Sequence, residues 1–230
     1  MKRPTVDYSE FSLKKLNDPR FSHFKLLIGW LVYFALYFIT EYFNPNNSGT
    51  KVCFDWEFNI PFLEIFVIPY VGWYALIVVS LLYFLFYNVE NFKRLQIFII
   101  VTQVVAMVIY IVFPNYQPLR PAVYPRDNFL TDIVALLQAG DTNSNVCPSL
   151  HVAYSIGIAS IWLKEKSAAW WTKSAIVVFC ILVCLSTVFI KQHSIIDGLV
   201  AIPVCILAEY ISCKDYWKEK INIISKKDCK

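Results

Sequence analysis

The chain of 230 residues is 57% hydrophobic and 17% charged, with a formal net charge of +4. An ordinary soluble domain carries roughly 25% charged and about 45–50% apolar residues, so these figures exclude one and mark an integral membrane protein. The positive balance implies no nucleic-acid partner, because it arises from basic residues that anchor helix ends at a membrane surface.

No Gly/Ser-rich linker, charged block or internal repeat divides the chain, and its length suits a single membrane domain over 1–230. Crossing a hydrocarbon core as helix takes about 20 apolar residues. After a polar tail over 1–23, the first such run covers 24–43. It ends in Thr40-Glu41-Tyr42-Phe43-Asn44 with no small-residue cleavage pattern, which predicts a retained span rather than a signal peptide. The stretch 58–68 is too short to span; it reads as a helix in the interface or as an extension of the second span, 70–88. A third span covers 95–113, and the loop after it holds Arg120-Pro121 and Arg126, the latter beside Asp127 and read as a loop ion pair. A second short apolar stretch, 129–139, is another interfacial helix. A polar loop over 141–145 then leads to Cys147-Pro148-Ser149-Leu150-His151, where the fourth span, 149–163, begins with proline in its first turn. The fifth span covers 174–190 and the sixth 194–212, with Lys191 and His193 at their junction and a tail over 213–230. The predicted fold is therefore all-α: a six-transmembrane helical bundle with short interfacial helices, its core at 70–212.

Charge tests this layout independently. With the amino-terminal tail placed in the cytoplasm, 17 of the 21 lysines and arginines fall in the tails and in the loops 89–94 and 164–173; Lys51, Arg120, Arg126 and Lys191 alone lie opposite. Both termini are thus expected in the cytoplasm, in a multi-pass protein of the cell membrane. The same count puts Arg120, the Ser149–His151 segment and the His193 region together on the extracytoplasmic or lumenal face.

Their residue types suit phosphate chemistry. Ionisable side chains near lipid are costly unless they pair or act on something. His193 and Asp197 are four residues apart, so on a helix the carboxylate can accept from one ring nitrogen and leave the other as a free lone pair, the state of a nucleophile or base. Read blandly, the two are a polar pair at a helix end. A helix start at Ser149 aims unpaired amides of Leu150 and its neighbours at an anion, with the Ser149 hydroxyl as a further donor or merely as a cap. His151 is placed to protonate a leaving oxygen. Arg120 offers a planar fork to a phosphoryl group, and Lys191 a second charge or an interfacial anchor. The cysteines lack metal-ligand spacing, so no metal and no cofactor is expected. Cys53 and Cys147 both fall in outer loops, where a disulfide between them would tether the segment before Ser149.

Together these segments resemble the type 2 phosphatidic acid phosphatase superfamily, whose motifs run Lys-x6-Arg-Pro, Pro-Ser-Gly-His and Ser-Arg-x5-His-x3-Asp. Arg120-Pro121 matches the end of the first, Pro148-Ser149 and His151 the second, and Ser186, His193 and Asp197 the third, over roughly residues 70–212. Phe113, Leu150 and Thr187 stand where the family has Lys, Gly and Arg, and Pro-Ser-Leu-His is similar to the branch containing inositol phosphorylceramide synthase. The resemblance implies a phosphohistidine on His193, oriented by Asp197. It makes His151 the acid and then the base, and sets Arg120, Ser149, Leu150 and Lys191 around the phosphoryl oxygens. The expected partner is a lipid phosphate in the bilayer, hydrolysed first of all, or else giving its head group to a lipid alcohol. A non-catalytic lipid-phosphate binder or transporter is the remaining alternative, and nothing in the sequence bears on oligomeric state.

Overall fold

A computed structural model describes residues 4–44, 47 and 49–220. Among the described residues seven helices follow one another, α1 (Ile28–Phe43), α2 (Val67–Tyr87), α3 (Val89–Val112), α4 (Phe129–Gly140), α5 (Leu150–Lys164), α6 (Trp170–Phe189) and α7 (Ile195–Ser212), and residues 214–220 are helical as well. Apart from these and a few short 3-10 turns, the described residues hold one two-residue parallel pair, β1 (Thr50–Lys51) with β2 (Asn115–Tyr116). The extreme ends of both tails, including Cys229, lie outside the described residues.

Five helical stretches are long and apolar enough to cross a membrane: Ser22–Phe43, Glu64–Tyr87, Val89–Val112, Trp170–Phe189 and Ile195–Ser212. They match five expected runs with ends shifted by a few residues. The stretch expected at 58–68 is split between 3-10 turns at Asp55–Asn59 and Glu64–Phe66, the second running straight into α2, so it extends that helix. The short helix expected at 129–139 is α4. The fourth expected span, α5, has 15 residues. At a rise of about 1.5 Å per residue it is roughly 22 Å long, short of a hydrocarbon core of about 30 Å. It needs no apolar outer face, because α3, α6 and α7 enclose it. Gly157 permits this: a Cβ there would stand 2.5 Å from the Phe98 ring of α3. Around that contact Phe98, Ile99, Ile158, Ile161 and Ala201 are fully buried. Large side chains on the outer faces of α1, α2, α6 and α7 are exposed instead, as expected where the surrounding medium is hydrocarbon.

The two ends of the bundle are polar in different ways. At one end Lys164 pairs with Glu209 at 2.6 Å and Glu165 accepts from Asn88 and Asn91. Tyr8 and Thr5 of the amino-terminal tail there donate to the carbonyls of Leu85 and Phe86. At the other end the loops are knitted together. Besides the β1–β2 pair, buried Asn115 accepts from the amides of Val146 and Cys147 and donates to the Cys147 carbonyl. Gln117 donates to the carbonyls of Lys191 and Gln192. The connections α3–α4, α4–α5 and α6–α7 are thereby brought to one place.

Candidate active site

The α6–α7 connection is short and tightly bent. Lys191 takes a left-handed backbone (φ 60°), a conformation that costs about 1–3 kcal/mol and persists where its surroundings fix it. The Thr187 carbonyl accepts from the amides of both Gln192 and His193, at 2.9 Å each. Helix α7 then starts with Ser194 as its N-cap, so His193 stands just before the helix and not on its face, as the spacing alone had suggested. The pairing survives because Asp197 is the third residue of a capping box: its Oδ2 accepts from the Ser194 amide at 2.9 Å and lies 3.1 Å from His193 Nδ1. Asp197 is fully buried. Its carboxylate therefore holds a proton on Nδ1 and leaves His193 Nε2 as the lone pair.

That nitrogen faces His151 Nδ1 at 3.3 Å. With Nε2 of His193 an acceptor, the shared proton is assigned to His151 Nδ1. The ring of His151 lies against Tyr70 and Trp73, with centroids 4.5 and 4.2 Å away, and its Nε2 is buried without a hydrogen-bonding partner. An orphaned acceptor of this kind costs about 1–3 kcal/mol unless something fills it. Ser149 is the N-cap of α5, accepting from the Val152 amide, while its own amide donates to the Asp197 carbonyl at 3.0 Å. Pro148 thus precedes the cap and lies outside the first turn, and the Tyr110 hydroxyl donates to its carbonyl. The sequence-derived group His151, His193, Asp197 and Ser149 is in one place.

The cations stand differently. The Arg120 fork is spent on the α4–α5 connection: Nη1 donates to the carbonyls of Gln138 and Asp141, and Nη2 to that of Thr142 at 2.6 Å. Burial pulls its guanidinium below its ordinary pKa. Lys191 is buried with Nζ on the Glu57 carbonyl at 2.9 Å, and burial lowers its pKa too. Phe113, at the family's lysine position, is half exposed, and the Thr187 hydroxyl is turned back to Cys184. Arg126 pairs with Glu64, not with its neighbour Asp127. Cys53 and Cys147 are free thiols, which corrects the expected disulfide; Cys147 instead lies by Asp197, and burial pushes its pKa up to about 12.

A residue that sequence reasoning missed completes the group. Glu57, fully buried, accepts from Ser194 Oγ at 2.8 Å and from the amides of Ile195 and Phe54 at 2.9 Å. It is an anion at the amino terminus of α7, supplied from 137 residues away, and no local pattern announces it. Asn115 and Gln117 did leave a signal, as polar side chains directly after an apolar run.

His151 and His193 open into a cavity of about 630 Å³ walled mainly by α1 and α2 and by aromatic rings. Its polar end carries Asp141, Asn145 and Gln192; no lysine or arginine is among its lining residues. Among the described residues no group of three or more His, Cys, Asp and Glu is arranged to hold a metal ion. Comparison of the chain with protein-family models, curated proteins and solved structures finds no match in any of the three.

Proposed function

We propose that this membrane protein is an enzyme acting on a lipid phosphate ester through a phosphohistidine on His193, in the manner of the type 2 phosphatidic acid phosphatases its motifs resemble. In this reading α5 acts as a sixth span, both termini are cytoplasmic, and the histidine pair works at the extracytoplasmic face. The observation that carries it is the buried chain Asp197–His193–His151, with contacts of 3.1 and 3.3 Å, at the polar end of an otherwise mainly apolar cavity. A structural polar pair would not need a second imidazole on the nucleophilic nitrogen.

His193 Nε2 forms a bond to phosphorus as the bond to the lipid alcohol breaks; the departing oxygen keeps the electron pair and takes a proton from a protonated His151. Neutral His151 then removes a proton from water, whose oxygen displaces Nε2 and releases phosphate. Ser149, the Leu150 amide and the start of α5 hold phosphoryl oxygens, while Arg120 and Lys191 supply charge from behind the wall. Hydrolysis is the first reading. One observation favours transfer to a lipid alcohol in the second half: His193 is only 9% exposed and most of the cavity it opens into is walled by apolar and aromatic side chains, which suits a lipid acceptor reaching the intermediate.

The test is turnover of purified protein on a panel of lipid phosphates, with and without lipid-alcohol acceptors, alongside His193→Ala. Phosphate release without acceptor identifies a hydrolase, and acceptor-dependent product a transferase. A fully active His193→Ala variant, or an inert wild type, would overturn the proposal, the latter in favour of a lipid-phosphate binder.

A further inference from the structure

We propose that the cavity between α1 and α2 is the seat of one hydrocarbon chain of the substrate lipid, entered sideways from the bilayer and long enough for about 13 carbons. This rests on the reading of the histidine pair as a lipid phosphate site.

The cavity is polar at one end only. His151, His193, Asp141 and Gln192 lie beside the connections, whereas the far end is made by Trp30 of α1 and by Ile77, Val78 and Leu81 of α2. The Trp30 indole N–H is already given to Gln96, so that residue offers the cavity a ring and no donor. A water-filled polar substrate site has no use for such a floor, while a chain whose phosphate rests on the histidines does.

Its lips face the surrounding medium. Phe34 on α1 and Tyr74 and Val78 on α2 are about half exposed although they line the cavity, and both helices are apolar enough to stand in a membrane. Lipid chains would lie directly against that opening. A lipid can then slide its chain between α1 and α2 without leaving hydrocarbon, while its phosphate stays at headgroup depth beside His193.

Length follows from helix geometry. From Tyr70, stacked on His151, to Leu81 is eleven residues of α2, about 16 Å at 1.5 Å per residue. An extended chain advances ~1.2 Å per bond, since three backbone bonds reach at most about 3.6 Å, so the groove takes about 13 carbons. Carbons beyond that re-enter lipid or detergent and gain nothing.

The experiment uses n-alkyl phosphates of 6 to 18 carbons with the full chain in detergent, below the concentration at which the phosphates form their own micelles. For wild type, kcat/KM should rise up to about fourfold per methylene, the ~0.8 kcal/mol of a buried CH₂, and flatten near 13 carbons. Leu81→Trp and Val78→Trp fill the far end and should move the break to shorter chains by roughly one helical turn, about four carbons. Melting temperatures verify that the variants fold. A break that stays in place in both folded variants, or a rate indifferent to chain length, would overturn the proposal. A second readout separates it from the function itself: a 12-bromododecyl phosphate should quench tryptophan fluorescence saturably, and Trp30→Phe should remove much of that quenching. Saturable, Trp30-dependent quenching in a protein that turns over no phosphate would leave the chain site standing and sink the enzymatic reading. Absence of such quenching in a turning-over enzyme would do the reverse.

Discussion

Glu57 gives the sharpest test of how the site is held. All three groups facing its carboxylate are donors: the Phe54 and Ile195 amides and the Ser194 hydroxyl. In Glu57→Gln the shape is kept, but an NH₂ must now oppose at least one of them. The cheaper orientation keeps Phe54 and Ser194 on the amide oxygen and turns NH₂ toward the Ile195 amide, which leaves a buried N–H unsatisfied at about 1–3 kcal/mol. Ile195 and Ser194 directly follow His193, and the Ser194 amide shares Asp197 Oδ2 with it, so the shift is passed straight to the imidazole. A misplacement of about 1 Å at a reacting group is worth on the order of 10²-fold in rate. The expected result is a kcat lower by roughly 10- to 100-fold at temperatures where the variant is fully folded, KM within about twofold, and a lower melting temperature in detergent. Wild-type kcat in a folded Glu57→Gln protein would refute the argument, because it would show that the α7 amino terminus positions His193 without this anion.

Three further outcomes follow from the geometry. Asp197→Asn keeps the bulk but can present NH₂ to His193 Nδ1 and reverse the tautomer. Turnover should fall on the order of 10⁴-fold, the scale seen when a triad carboxylate becomes an amide, and a loss below tenfold would contradict the assigned orientation. Arg120→Lys should act chiefly on stability, since a lysine cannot reach three carbonyls at once; each lost bond to a charged donor is worth about 1.5–3 kcal/mol, and a large rise in KM at unchanged melting temperature would instead mark Arg120 as a direct phosphate ligand. Reduction should leave electrophoretic mobility and activity unchanged, and Cys147, its thiol held protonated by burial, should resist alkylation at pH 8 while the less buried Cys53 reacts.

How much of this could be read beforehand depended on sequence separation. Five long apolar helices were legible because each is a continuous run that the membrane requires to satisfy its own backbone. The His193–Asp197 contact was legible because four residues fix it, even though a capping box rather than a helix face delivers it. The fourth helix was legible in length, at 15 residues, but not as a span: α5 is enclosed by its neighbours, so nothing obliges it to match the hydrocarbon thickness. Glu57 to Ile195 and Gln117 to Lys191 are contacts across 138 and 74 residues, and no local spacing encodes them. Arg120 was legible as a planar donor but not as to its acceptor, since backbone carbonyls suit that fork as well as phosphate does.

The placement of the cations bears on what the cavity can accept. A dianionic phosphomonoester brought against His193 would leave water for a wall without lysine or arginine, and an unpaired buried charge is penalised steeply. A monoanion, whether a diester or a monoester carrying one proton, asks for half that compensation, and on the proposed mechanism the α5 amino terminus, which meets the cavity at Leu150, would supply it. The histidines add a steric condition. With 3.3 Å between Nε2 and Nδ1 there is no space for phosphorus, and a near-attack nitrogen–phosphorus distance is itself roughly 3–3.5 Å, so on the proposed mechanism substrate would have to part the rings. His151 gives up its bond to His193 in doing so, and its Nδ1–H turns to the ligand as the lone pair of His193 is uncovered. On the proposed mechanism, one movement therefore frees the nucleophile and aims Nδ1–H at the leaving oxygen, and His151 becomes the acid once its unpartnered Nε2 has taken up a second proton.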